Sequence, residues 1–102
     1  MKPNFSSGEL GTAALVPKAK ANIRDHHVGF PEAATVLEDE FALTREDPDA
    51  HSEQCFITLG LSGLGNLLVV VYTYREPATI RIISAWRASR PDHQDYFGRF
   101  TS

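Results

Sequence analysis

The sequence predicts an α+β fold: a small antiparallel sheet of three to four strands packed by two N-terminal helices, with a short C-terminal helix. Three observations carry this reading. Residues 67–75, "LLVVVYTYR", form an almost unbroken apolar run that passes into alternation, as a central strand does. The linkers "SGLGN" and "EPA" are turn-sized, and parallel strands would need crossovers of about a dozen residues. Helix-forming stretches precede and follow the strands rather than separating them, which segregates the helices to one face of the sheet.

The elements follow in order. Residues 1–14, "MKPNFSSGELGTAA", mix Gly, Ser, Pro and polar residues without a period, so a flexible N-terminal arm is expected. Residues 15–102 are expected to form a single domain. Pro17 suits the first turn of a helix, and "PKAKANIRDHH" is rich in helix formers. Ala19 and Ile23, with Leu15 or His26, share one face of it, and Lys18 and Lys20 project from a neighbouring face. Gly29 in "VGF" is the expected turn residue. A second helix, "PEAATVLED", opens with Pro31 and places Glu32 near its positive end. Its apolar face is Ala33, Val36 and Leu37. "EFALT" reads as a short strand, and "REDPDAHSE" as a polar loop broken by Pro48. "QCFITLGL", "LLVVVYTYR" and "TIRIISA" are the remaining strands. Ser89 followed by Asp92 starts a last helix over "RPDHQDYFGR" in the manner of a capping box.

Composition excludes several classes. With 102 residues and a net charge of −3, the chain is one domain and no bulk polycation. Any nucleic-acid contact must come from a local basic patch. A single Cys, Cys55, rules out an internal disulfide framework and fits a reducing cytosol. One Cys with scattered His makes no structural zinc site, and no cofactor is expected. No apolar run is long enough to span a membrane, and the N-terminus lacks a signal-peptide pattern, so a cytoplasmic protein is expected.

The stretch "RIISAWRAS", residues 81–89, brings Arg81, Arg87 and the following Arg90 to the end of a strand around the lone Trp86. Together with "KAKANIRDHHVGFPEAATVLEDEFAL", "DPDAHSEQCFITLG" and "LLVVVYTYR", it gives the chain its resemblance to the BrnT family of type II toxin–antitoxin ribonucleases. The family's Asn-x-x-Lys-His-Gly-Val and Phe-Glu-Glu-Ala pattern is matched by Asn22, His26, Val28, Phe30, Glu32 and Ala33. Its Asp-Pro-Asp and His-Ser-Glu are matched by Asp47, Pro48, Asp49, His51, Ser52 and Glu53. Its Arg-Ile-Ile-Ser-Ala strand is matched from Arg81 to Ala85. The resemblance implies a compact RelE-like fold and a metal-independent endoribonuclease that inhibits translation. It also implies neutralisation by a BrnA-type antitoxin in a heterotetramer of two toxins and two antitoxins, with DNA contacted only through the antitoxin.

Metal-free RNA cleavage uses the substrate's own 2′-hydroxyl. A base takes its proton, an acid protonates the leaving oxygen, and cations hold the phosphate. Arg81, Arg87 and Arg90 suit the phosphate, with added charge from Lys18 and Lys20. His26 and His93 are the acid–base candidates, and Tyr96 is an acid or a stacking group. Plainer roles stand beside these. An Arg within a strand is most often a solvent-facing partner of an acid, and a His at a helix end is most often a favourable dipole partner. His51 in an acidic loop invites a metal, but its spacing matches no metal motif.

The chain departs from the family at several places. Trp86 and Asp25 stand where the family has Arg and Lys, His27 where it has Gly, and Asp92–His93 where it has Glu-Arg. The family's N-terminal Trp-Asp signature is not recognisable around Ala14 and Leu15. Losing one active-site cation costs roughly 10²-fold in rate, so these departures predict an attenuated nuclease. The alternative is a catalytically inactive toxin-like module that binds a BrnA-type antitoxin.

Overall fold

A computed structural model of the chain describes residues 4–5, 16–48, 50, 54–75 and 79–100. Its elements are β1 (Asn4–Phe5), α1 (Val16–His26), α2 (Phe30–Val36), β2 (Leu43–Glu46), β3 (Cys55–Leu61), β4 (Leu67–Arg75), β5 (Thr79–Arg87) and α3 (Arg90–Phe97). A 3₁₀ turn, Gly98–Phe100, follows α3. The sheet runs in the order β1-β5-β4-β3-β2. Strands β2 to β5 form the expected antiparallel meander, and β1 adds a two-residue parallel pairing to β5. The rest of the 1–14 segment, His51 and the "EPA" linker lie outside the described residues.

β4 is central and is covered on both sides, which explains its apolar run. Leu68, Val70 and Tyr72 pack in one cluster with Phe30, Ala33 and Val36 of α2. Leu67 and Val69 pack in the opposite cluster with Leu59 of β3 and Tyr96 of α3. The third helix therefore crosses to the face that α1 and α2 leave open, instead of joining them on one face.

Three other details differ from the sequence reading. β2 begins at Leu43 rather than Glu40. The chain before it is held in a turn, because the Asp39 carboxylate accepts the Phe41 N–H and the Asp39 carbonyl accepts the Ala42 N–H. The α1–α2 turn is made by His27, at φ 59°, while Gly29 is extended at φ −83° and caps α2. The buried face of α1 carries Asn22, and Ile23 is 51% exposed.

β5 contains a bulge. Tyr72 pairs with Ile82 and Val71 with Ser84, so Ile83 is the extra residue. The bulge inverts the alternation. Ile80 and Ile82 face the α2 cluster, and so does Ala85 beyond the bulge; Trp86 then falls on the α3 side.

Asn22 joins helix to sheet at this point. It is 5% exposed. Its Nδ2 donates to the carbonyls of Val28 and Ala85, each at 2.8 Å. Its Oδ1 accepts from the Ala85 N–H and the Ser84 hydroxyl, each at 3.0 Å. The carboxamide thus stands where a neighbouring strand's peptide group would stand, with its two donors and two acceptor positions all used.

Asn22→Ala is expected to destabilise the fold by about 3 kcal/mol, because it strands three buried backbone groups. His27→Gly is expected to stabilise it by about 1 kcal/mol, by removing a side chain from the left-handed region. Denaturant unfolding of the two variants measures both.

Candidate functional site

Three segments meet where β5 leaves the sheet: the last turn of α1, the end of β5, and the β3–β4 turn. His26 ends α1 and is exposed, with its ring centroid 6.1 Å from that of Trp86. Asp25, His26, His27, Trp86 and Arg87 line an open cleft of about 620 Å³.

Arg87 is oriented through a relay. Its Nη1 donates to Asn66 Oδ1 at 3.3 Å, and Asn66 Nδ2 donates to Glu32 Oε2 at 2.8 Å. The same Glu32 oxygen accepts from the Ser62 hydroxyl at 2.7 Å. Thr35 accepts the Gly63 N–H at 2.7 Å, which pins the turn to α2 a second time. Gly65, at φ 84°, makes that turn possible without strain. Arg24 pairs with Asp25 at 2.9 Å on the exposed side of α1, and that hydrogen bond holds the Asp25 carboxyl below its ordinary range.

The residues singled out from sequence do not all gather here. His26 and Arg87 share the cleft with Trp86. Arg81 pairs with Thr73, four positions along β4 from Val69, the partner of Trp86. That is about 13 Å along the sheet at ~3.3 Å per residue. Arg81 is half-buried, and its Nε has no hydrogen-bond partner among the described residues. Arg90 is exposed at the first position of α3. His93 is exposed on the same helix, with its ring 5.8 Å from Phe97. Lys20 is exposed on α1, and Lys18 is in that helix with its side chain outside the described set.

Tyr96 is 2% exposed. Its hydroxyl donates to Asp39 Oδ2 at 2.5 Å, an oxygen that also accepts the Leu61 N–H at 2.9 Å. Burial, with the hydrogen bond to Asp39 and its charge, pushes the Tyr96 phenol up to about 12. Burial also acts to raise Asp39, but it is outweighed. Donors from Tyr96, Leu61 and Phe41, with the charge of Arg99, leave that carboxyl below its ordinary range. Tyr96 thus ties α3 to the segment after α2, and its proton is a poor one to lend to a reaction near neutrality.

The sequence reading assigned no supporting role to Asn22, Asp39, Ser62 or Asn66. Asn22 left a signal. A modest helix former sits beside apolar positions in mid-helix, where its amide needs partners. The pair Ile82–Ile83 breaks the alternation of β5 and marks the bulge.

The family model described as "Ribonuclease toxin, BrnT, of type II toxin-antitoxin system" matches residues 16–92, more than half of the chain. No protein of curated function gives a significant match. No helix among the described residues is long and apolar enough to cross a membrane.

The Tyr96–Asp39 bond gives a pH prediction. A tyrosine whose folded pKa is raised stabilises the fold fully below its unfolded value, near 10, and loses that contribution as pH rises through about 12. Stability is therefore expected to fall between pH 10 and 12, and the fall should be smaller in Tyr96→Phe. Tyr96→Phe itself is expected to cost about 1–2 kcal/mol near neutral pH. Denaturant midpoints across that range, for both proteins, check this.

Proposed function

The chain belongs to the BrnT family of ribonuclease toxins of type II toxin–antitoxin systems, and from that premise we propose that it is a metal-independent endoribonuclease with an attenuated rate. The observation that carries the proposal is the shared cleft of His26 and Arg87 beside Trp86. An RNA phosphate seated there meets a planar cation already oriented by Asn66. His26 exchanges protons with the 2′-hydroxyl or the leaving oxygen as the general acid or base of the cleft. Lys18 and Lys20 add positive charge from α1 and Arg90 from the start of α3, and Arg81 holds a more distant phosphate. His93 and Tyr96, on α3, support the site from outside the cleft.

The rate is lowered because the cleft carries an indole where relatives carry a guanidinium, and because Asp25 contributes negative charge beside the phosphate. The protein acts in the cytoplasm, where cleavage of RNA inhibits translation. A BrnA-type antitoxin holds it silent in a complex of two toxins and two antitoxins, and DNA is reached only through that partner. One observation favours a second reading, that of a non-catalytic antitoxin-binding module. Tyr96 is committed to Asp39, which leaves the cleft one proton donor poorer.

Purified protein is expected to cut single-stranded RNA in EDTA. Arg87→Ala and His26→Ala should each lower the rate about 10²-fold, and Trp86→Arg should raise it tenfold or more. Induced expression of the chain alone should arrest growth in the same order. Silence of both the native chain and Trp86→Arg, with each folded, would establish the non-catalytic reading.

A further inference from the structure

Trp86 is a ridge between two depressions. On one side is the cleft of His26 and Arg87. On the other, between β2 and α3, lies a groove of about 290 Å³. Its floor is the apolar surface of Ile57, Leu59 and Val69, and its sides include Arg45, Trp86 and Asp92. The nuclease mechanism uses none of these groups except the edge of the indole.

The chemistry of the groove is specific. A flat aromatic wall and an apolar floor suit a planar ring. The volume is at the lower limit for small-molecule sites, so it suits one base rather than a larger ligand. Arg45 supplies planar donors, the pairing that reads the O6 and N7 acceptors of guanine. Asp92 supplies carboxylate oxygen, which accepts from ring and exocyclic N–H groups. Its Oδ2 is occupied by the backbone N–H and hydroxyl of Ser89, which fixes the carboxylate in place at the start of α3.

We propose that this groove is a nucleobase pocket, in which an unpaired guanine of the RNA stacks on Trp86 and is read by Arg45 and Asp92 while the adjoining phosphate lies at Arg87. The inference rests on the ribonuclease reading above and adds a substrate preference to it. A strand crossing the ridge is anchored by a base on one side and a phosphate on the other. The same ring that removes a cation from the cleft thus selects the substrate.

Trp86 is the only tryptophan, so tryptophan fluorescence reports on this ridge and the two depressions beside it. The experiment titrates the full-length protein with 2′-O-methyl uridine oligonucleotides, which lack the attacking hydroxyl. Each carries a single central guanine, adenine or abasic position, and binding is followed independently by the anisotropy of an end label. The guanine oligonucleotide is expected to quench Trp86 and to bind about tenfold tighter than the abasic one. Arg45→Ala should keep the quenching and lose the preference for guanine over adenine. Trp86→Ala should lose the difference between base and abasic position, and Trp86→Phe should keep part of it.

Binding that is equal for all three oligonucleotides and leaves the fluorescence unchanged would overturn the pocket and leave the nuclease standing. Quenching by the cognate antitoxin but by no oligonucleotide would assign the groove to the protein interface instead. Absence of both RNA binding and RNA cleavage would remove the ribonuclease reading, and this one with it.

Discussion

One buried carboxamide holds this molecule in its working shape. Strand β5 is paired on one side by β4, while on its other side, among the described residues, β1 pairs with Thr79 and Ile80. Farther along, at Ala85, the free backbone groups are taken by Asn22 of α1. A helix thereby closes a sheet edge that would otherwise expose buried polar groups. Because the same amide reaches Val28, it also fixes the exit of α1 and the start of the path into α2. Everything in the His26–Arg87 cleft hangs from this clamp, since one of its walls is the helix and the other is the strand.

The outline of the fold was legible in the sequence because its strongest signals are local. The apolar run of β4, the turn after β3 and the Ser89–Asp92 capping box each depend on neighbouring residues, and each forms as read. What was not legible depends on partners far along the chain. Asp39 is a plain acid in the sequence, and only the fold brings it Leu61 and Tyr96. The side of the sheet chosen by α3 is set by which face of β4 the first helices leave uncovered. The bulge at Ile83 was readable in principle, but an apolar pair within a strand is also what a buried edge looks like.

The candidate site shows the same division. Residue types chosen for RNA chemistry were found on two faces of the sheet rather than in one cluster. His26 and Arg87 come together because the β5 bulge and the αL turn at His27 set their elements' ends side by side. Many residues that carry the family resemblance are scaffold: Asn22, Val28, Phe30, Ala33 and Ala85 are all buried. Three of the positions where this chain departs, Asp25, His27 and Trp86, line the cleft itself, whereas Asp92 and His93 lie on α3.

The connectivity has a kinetic consequence as well. Strands β2 to β5 pair with their sequence neighbours, whereas the bond from Asn22 to Ala85 spans 63 residues. Closing short loops costs less chain entropy than closing a long one, so the meander is the cheaper half to assemble. Docking of α1 is the costly step, and it is the step that brings His26 to Arg87. The sheet can pair through short loops alone, whereas the cleft exists only once a contact 63 residues apart in the chain is closed.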